Sequence, residues 1–398
     1  MKNLILAASL LVVLFSCNKD VEYQRTSGTD VSSASTKNKR IYFTNPGNWV
    51  DQNFAYTPGD TFVLKAGINY TYFSMAGVHD VTFINEGGVV RMQNGFNFNG
   101  CANIHVSGTG TKDFYGFEIS GHTSGDVGID VNGKSSRVRF NNIYIHDKTY
   151  GFWVKQEVEA TCDESLYYPN WYMDSITISN CMIRRMNQEG MYIGSTGENA
   201  DRPNGCGKYP YPMRLSNVSI HDNIVDSTGR GGIMLSGADK GRNDISRNTI
   251  TRCGYELNSY QGNGIVIGGN AYADIDQNTI KNTLCDGIWI LGNHTTRVRG
   301  NKIDSSGWLN GVHAGYMHGI AFDTRSSYPF VLSSFRIKNN TIGKHTDVVD
   351  IYIYNTMQNV SGKSISGFST TNNMIYNNNN GAAKVAAQNG IVYSTQPN

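Results

Sequence analysis

A short pattern of glycine followed by three alternating residues recurs along the chain, and it restricts the fold more than any other feature. An apolar residue follows the glycine, then a variable residue, then a second apolar residue. Copies begin at Gly151, Gly190, Gly232, Gly264, Gly287, Gly319 and Gly390, and at Asp350 with Asp in place of Gly. An asparagine at the start of a short strand precedes each copy, at Asn142, Asn180, Asn223, Asn248, Asn278, Asn301, Asn340 and Asn373. A further short strand precedes each asparagine, so the repeated unit contains three short strands.

This repeat predicts an all-β chain that coils as a single-stranded, right-handed parallel β-helix. Strand alternation places the two apolar residues of each glycine pattern on one face and the variable residue on the other. Stacked rungs, each one turn of the chain, bury the apolar faces in a continuous core. The crossover rule for parallel strands favours a right-handed coil, and asparagines of successive rungs can form an amide ladder. Earlier segments such as VTFI from Val81 and GIDV from Gly128 raise the expected number of rungs to roughly ten to twelve. The repeats lack the signatures of the alternative repeat folds, leucine-rich repeats and β-propellers.

The first 16 residues have the features of a bacterial lipoprotein signal peptide. Lys2 precedes an apolar run over residues 4–15, which is shorter than the ~20 residues of a membrane span. We expect cleavage before Cys17 and lipidation of Cys17, which would anchor the protein in the outer membrane of a Gram-negative bacterium, at the cell surface or facing the periplasm. Residues 17–39 then form a flexible tether, and residues 40–398 the β-helix. The alternative is an ordinary secretory signal that contains a cysteine.

Composition limits the partners and cofactors. The net charge of +2 gives no positive field for nucleic acid, so we expect no nucleic-acid partner and no membrane contact beyond the lipid anchor. The six cysteines after Cys17 include no CxxC pair that would indicate a zinc site. Scattered Asp and Asn residues leave Ca²⁺ binding open, without a recognisable ligand spacing.

The repeats resemble those of the pectate-lyase-like superfamily of parallel β-helix proteins. The stretch PGDTFVLKAG, residues 58–67, is similar to the opening rung of alginate-lyase and chondroitinase-type members. The resemblance covers about residues 41–393 and implies action on polysaccharides, since members include lyases, hydrolases, uronan epimerases and noncatalytic modules. The paired aspartates of polygalacturonases and the Asp-Pro-His core of uronan epimerases are absent, and a shared fold does not fix the reaction.

The variable residues of the glycine patterns form one outward row, which is rich in aromatic side chains. The row reads Trp153, Tyr192, Met234, Val266, Trp289, Ala321 and Tyr352. Aromatic rings on a flat sheet stack well on sugar rings, so the four aromatic residues are predicted to bind substrate. The alternative is that the long loops after Val154 and Ile193 cover this face and bury the rings.

The residues directly before the glycines form a second row, which contains the catalytic candidates. Asp286 and His318 lie on successive rungs, ~4.8 Å apart, so the carboxylate can orient the histidine as a general base. Glu189 in the same row is the third catalytic candidate. All three also suit a purely structural role, because such residues are common in turns.

Four further polar residues are predicted to contact substrate. A lyase needs a cation to stabilise the charge that develops in the reaction, for which Lys155 and Arg230 are candidates. Asn263 lies in the same row as Asp286. Asp323 ends the strand that follows Gly319, where Arg325 is its expected partner.

Two cysteines are predicted to join the loops beside this face. Cys162 and Cys206 lie in the loops that follow the patterns at Gly151 and Gly190. Both loops leave the same edge of adjacent rungs, which favours a disulfide between them. The loops, residues 155–174 and 194–215, are rich in Tyr, Trp and acidic residues and are expected to wall one side of a groove.

The sequence thus predicts a surface or periplasmic carbohydrate-active enzyme that cleaves a polysaccharide, as a polysaccharide lyase or a glycoside hydrolase, in a groove on the outer face of the β-helix. The alternative is a noncatalytic glycan-binding or adhesin-like lipoprotein. An acid, a base and a cation that converge in one groove would indicate the enzyme, and aromatic and amide groups alone would indicate the binding protein.

Overall fold

The computed structural model describes residues 38–50, 54–121, 126–196, 200, 202–258, 260–291, 296–323, 334–354, 374–387 and 393–395. The predicted signal peptide, Cys17 and residues 18–37 of the predicted tether lie outside these ranges, as does the pattern at Gly390. Lys39, at the end of the predicted tether, already donates its backbone N–H to Asp60 Oδ1 at 2.8 Å. Within the described ranges, no helix has the length and apolar character that a membrane span requires.

Three parallel sheets form the domain. The first contains strands Arg40–Phe43, Thr61–Lys65, His79–Glu86, Ala102–Ser107, Ser136–Asn141, Tyr172–Ser179, Arg214–His221, Asp244–Ser246, Asp274–Asp276, Thr296–Arg299, Phe335–Lys338 and Met374–Tyr376, with Ala238–Lys240 beside Arg214–His221. The second contains Val90–Met92, Phe117–Ile119, Ile143–Lys148, Met182–Met186, Ile224–Thr228, Thr249–Cys253, Thr279–Thr283, Lys302–Ser306 and Thr341–Ile342. The third contains Gly47–Val50, Tyr70–Ala76, Phe96–Asn99, Val127–Asn132, Tyr150–Val154, Met191–Ile193, Ile233–Leu235, Ile265–Ile267, Ile288–Leu291, Ile320–Asp323, Ile351–Tyr354 and Val385–Ala387.

Other regular structure is short. Trp308–Leu309 and Val312–His313 form an antiparallel pair, and Val158–Ala160, Glu164–Leu166 and Asn378–Gly381 form 3₁₀ turns.

Successive strands of each sheet come from successive rungs, which is the topology of a parallel β-helix. Ile265–Ile267, for example, pairs in parallel with Ile233–Leu235 before it and Ile288–Leu291 after it. The first and third sheets each have twelve such strands within the described residues. This confirms the predicted fold class, and the number of rungs falls within the expected range.

The core is one column of inward-facing apolar side chains. The first rungs use phenylalanine, and Phe83 and Phe96 pack edge to face with their ring centroids 5.4 Å apart. Later rungs use isoleucine, such as Ile250, Ile280 and Ile303 of the second sheet, which are at most 2% exposed. Burial of each side chain of this size contributes about 1.5–3 kcal/mol to the free energy of unfolding, so each added rung stabilises the coil.

The predicted asparagine ladder is present at the turn between the first and second sheets. Its members are Asn223, Asn248, Asn278, Asn301, Asn340 and Asn378, all at most 2% exposed. From each asparagine to the next, the backbone N–H and the side-chain Nδ2 both donate to Oδ1, at 2.8–3.0 Å. Each ladder asparagine between two others therefore finds partners on both neighbouring rungs.

The ladder also corrects three asparagines of the predicted series. Asn142 and Asn180 stand one residue before the ladder position, where both have positive φ. Cys181 occupies that position instead, and its N–H donates to Asn223 Oδ1 at 2.9 Å. Asn373 lies outside the described residues, and Asn378 is the ladder member of the last rung.

The glycine of each pattern is required by close approach of the next rung. A Cβ atom on Gly232 would lie 2.6 Å from Ile250 Cγ2 and 2.7 Å from the Gly264 carbonyl oxygen. The adjacent Gly231 has more room, since its Cβ would meet nothing closer than the Asn263 carbonyl oxygen at 3.5 Å.

Alanine substitutions at Gly232 and at its neighbour Gly231 test this explanation. We expect Gly232→Ala to lower the free energy of unfolding by about 1–3 kcal/mol, as overpacking of a dense core does. Gly231→Ala should change it by less than about 0.5 kcal/mol. Urea unfolding followed by circular dichroism measures both, and equal effects of the two substitutions would contradict this explanation of the repeat.

Candidate functional site

The outer face of the third sheet carries the predicted aromatic row. The strand register aligns Trp153 with Tyr192, then Met234, Val266, Trp289, Ala321 and Tyr352. The same register continues toward the N-terminus through Asp130 and Asn97. The row is therefore aromatic at three separate places, of which only the first has two adjacent rings, and it carries a carboxylate beside that first place.

Trp153, Tyr192 and Lys155 form a compact cluster at this first place. The Lys155 ammonium lies 3.8 Å from the Trp153 ring centroid and 3.7 Å from that of Tyr192. The two rings are 4.9 Å apart, and Tyr150 lies 4.4 Å from Trp153. Lys155 is 4% exposed and pairs with Glu157 at 2.6 Å, whereas the rings keep part of their surface exposed. Three of the predicted substrate-binding residues thus come together.

Asp130 lies next to this cluster and was not predicted as a site residue. Its Oδ2 accepts hydrogen bonds from Asn97 at 2.9 Å and Asn132 at 3.1 Å, and its Oδ1 has no partner among the described residues. Burial raises the pKa of Asp130 to about 6, against the opposing effect of the two amides. A carboxyl group with this pKa can take up or release a proton near neutrality. The sequence contained the signal, because Asp130 is the variable residue of the segment GIDV at Gly128.

Glu189 lies at the edge of the same face but is 2% exposed. Burial raises its pKa, and the charge of Arg230 partly opposes this effect. Arg230 itself forms an ion pair with Glu256. The nearby Tyr150 also has a raised pKa, because of burial and the Glu189 charge. Arg230 and Glu189 are therefore electrostatic neighbours, with Glu189 buried and the Arg230–Glu256 pair partly exposed.

The structure brings Asp286 and His318 together, as their adjacent rungs predict. Asp286 Oδ1 lies 3.0 Å from His318 Nδ1 and accepts the His318 backbone N–H at 2.7 Å. On the other side of the ring, Nε2 is 2.9 Å from Asp347 Oδ2. His318 is only 1% exposed, so a polymer has almost no access to the imidazole. The catalytic role of this pair stays a prediction, and its burial favours a structural role.

Asn263 shares that structural pattern. Its Oδ1 accepts the Asp286 backbone N–H at 3.0 Å, as Asp286 accepts that of His318. Asn263 is 1% exposed, so it acts as a step of a short polar ladder along the row before the glycines.

The remaining predicted residues are divided between the outer face and the interior. Trp289 and Tyr352 are partly exposed on the row, and the Tyr352 ring packs against His318 with centroids 5.1 Å apart. Asp323 is 2% exposed at the end of its strand, and its expected partner Arg325 lies outside the described residues.

The two loops beside the cluster are joined by the predicted disulfide. Cys162 and Cys206 have Cα atoms 5.5 Å apart and a bonded sulfur pair. The Tyr167 hydroxyl stiffens the first loop, because it donates to the carbonyls of Val158 and Thr161 at 2.9 and 2.7 Å. Both loops thus start at the aromatic cluster and are joined by a covalent bond. Cys101, Cys181, Cys253 and Cys285 are buried and form no disulfide among the described residues.

Metal binding has no site in the part of the chain that the structure describes. No group of three or more His, Cys, Asp or Glu side chains there is arranged to hold a metal ion.

The coil of short parallel strands, with its asparagine ladder, places this structure in the class of parallel β-helix proteins. The chain belongs to the right handed beta helix region family, whose profile matches residues 102–303. No curated protein sequence matches the chain.

Several solved structures resemble this one distantly. A periplasmic alginate epimerase is 12% identical, with 90% of this chain and 84% of that chain covered and a TM-score of 0.47. The A-module of a mannuronan C-5 epimerase from Azotobacter vinelandii is 11% identical, with 85% and 91% covered and a TM-score of 0.47. An alginate lyase from a Paenibacillus species is 13% identical, with 90% and 94% covered and a TM-score of 0.41. At these values the likeness says nothing about activity.

Proposed function

We propose that this protein is a carbohydrate-active enzyme that cleaves a polysaccharide on the outer face of the third sheet. The observation that carries the proposal is the position of Asp130, one rung from Trp153 in the outward row and held by two amides. An acid–base group thus stands beside a platform for sugar rings.

Each part of this face has a chemical task in the proposed reaction. Partly exposed Trp153 and Tyr192 stack on the C–H faces of sugar rings. Asp130, with a pKa of about 6, transfers the proton that cleavage requires. The Lys155 ammonium, held between the two rings and paired with Glu157, is the cation that a negatively charged substrate beside the rings would meet. A base and a cation suit β-elimination from a uronate, whereas hydrolysis uses Asp130 and a second carboxylate such as Glu157.

A panel of acidic and neutral polysaccharides tests the proposal. The mature protein should release reducing ends from at least one of them. A simultaneous rise in absorbance at 235 nm marks β-elimination, and its absence marks hydrolysis. If the protein binds several of these polysaccharides but releases reducing ends from none of them, the proposed cleavage is refuted.

The noncatalytic glycan-binding protein is the second candidate, and one observation favours it. The residues first expected to be catalytic are at most 7% exposed, at Glu189, Asp286 and His318. A protein that only binds glycan needs the partly exposed aromatic row and none of these buried groups. Substitution Trp153→Ala would then weaken binding, and no variant would alter a reaction.

A further inference from the structure

The first sheet carries a strongly charged surface that the proposed cleavage does not use. Its strands Thr296–Arg299 and Phe335–Lys338 are neighbours, and their register places Arg297 beside Arg336 and Arg299 beside Lys338. We call these four residues the basic patch. Arg297, Arg299 and Arg336 are exposed and Lys338 partly so. We propose that the basic patch and the adjoining cavity bind an acidic polysaccharide, at a second site separate from the third sheet.

Carboxylates neutralise only part of this positive charge. Arg297 pairs with Asp274 at 3.4 Å and Arg299 with Asp276 at 2.9 Å, both from the preceding rung. Arg336 has no ion-pair partner among the described residues, and the Lys338 ammonium lies 5.6 Å from the Tyr376 ring centroid. Two cations on adjacent positions thus remain available for anions of a ligand.

A cavity of about 710 Å³ continues the surface beyond Arg297. Arg242, Tyr272, Asp239 and Asp274 also line it. The Tyr272 hydroxyl donates to the Gly241 carbonyl at 2.5 Å, which holds the ring at the cavity wall. Asp239 forms an ion pair with Arg214 at this wall, so its carboxylate adds little negative charge to the cavity.

The chemistry of this surface suits a chain of acidic sugars. Cations ~4.8 Å apart across rungs and ~6.6 Å apart along a strand can meet carboxylates carried on successive sugars. The aromatic ring and the carboxylates of the cavity match the C–H faces and the hydroxyl groups of the same sugars.

Nucleic acid is the competing polyanion, and the charges oppose it. The net charge of the whole chain is only +2, so no long-range field favours nucleic acid.

The site lies on a different sheet from Asp130, so the inference does not depend on the proposed cleavage. A protein that cleaves nothing can still bind acidic polysaccharide here. Conversely, loss of binding at the basic patch would leave cleavage of short substrates on the third sheet unchanged.

The test compares two double variants that each remove two positive charges from the surface. Arg336→Gln with Lys338→Gln alters the basic patch without breaking either ion pair. Lys281→Gln with Lys302→Gln removes two charges from the second sheet, where both lysines are exposed. Native gels that contain polygalacturonate, alginate, dextran or no polysaccharide measure retardation, and melting temperatures verify that both variants fold.

We expect the wild type and the second-sheet variant to be retarded by the two acidic polysaccharides and not by dextran. The basic-patch variant should bind about fivefold to tenfold more weakly, as loss of two exposed ion pairs implies, and salt should weaken wild-type binding. Equal retardation of the two variants by the acidic polysaccharides, or tighter binding to single-stranded DNA than to polygalacturonate, would each overturn the proposal.

Discussion

Replacing Asn278 with alanine is expected to lower the free energy of unfolding by about 3–5 kcal/mol. Asn278 Oδ1 accepts the backbone N–H and the side-chain Nδ2 of Asn248, at 2.9 and 3.0 Å. Its own Nδ2 donates to the Ile245 carbonyl and to Asn301 Oδ1, at 2.9 and 3.0 Å. Alanine removes all four hydrogen bonds and leaves buried groups on the neighbouring rungs without partners, and each such group costs about 1–3 kcal/mol.

Thr249→Ala is the matched control for this substitution. Thr249 follows the ladder residue Asn248 but is exposed on the second sheet, so its loss should cost less than about 0.5 kcal/mol. Urea unfolding of both variants gives the comparison. A loss below about 1 kcal/mol for Asn278→Ala would mean that the ladder follows from the coil and does not stabilise it.

The fold was predictable because its determinants are local and repeated. Each glycine pattern places its two apolar residues inward, and each ladder asparagine occupies the same turn. Seven or eight weak copies of one signal therefore agree with each other. The sequence predicted the ladder position less accurately where a residue other than asparagine occupies it. Cys181 does so, and the sequence then favoured the adjacent Asn180.

The candidate site was predictable only where rows follow the strand register. That register correctly grouped Trp153 with Tyr192 and placed Asp286 beside His318. Burial was not predictable, because it depends on how turns and loops fold over the sheet. His318 is enclosed by Asp286, Asp347 and Tyr352, all three of which lie far from it in the sequence.

Asp130 was overlooked for a related reason. The earliest rungs keep the alternation but not the complete glycine and asparagine signature, so their outward residues were not added to the row. Only the pairing of Val127–Asn132 with Tyr150–Val154 shows that Asp130 precedes Trp153 on the same face. The pKa of a carboxyl group further depends on neighbours such as Asn97, which the sequence places 33 residues away.

Asp130→Asn is expected to reduce polysaccharide cleavage by at least about 100-fold, the usual contribution of a positioned acid or base. The amide keeps the size of the carboxyl group and can still accept from Asn97 or Asn132, but it cannot transfer a proton. The wild-type pH–rate profile should have a limb with a midpoint near pH 6, the value to which burial raises the pKa of Asp130. Asp113→Asn, which alters an exposed carboxylate in a loop, is the control and should leave the rate and its profile unchanged.

Asp130→Asn should also stabilise the protein above pH 6. This change in stability distinguishes a catalytic role of Asp130 from a structural one. The pKa of Asp130 is about 6 in the folded state, against 3.8 for an unperturbed carboxyl group. Folding therefore favours the protonated form, so the wild type loses stability as the pH rises from about 4 to about 6. Ionisation of the buried group then costs about 2–3 kcal/mol, and the asparagine variant avoids this cost.

Urea unfolding at pH 4 and pH 8 should show similar stabilities of the two proteins at pH 4 and a more stable variant at pH 8. An inactive variant that is less stable than the wild type at both pH values would instead make Asp130 a structural residue, and the proposed acid–base role would then be wrong.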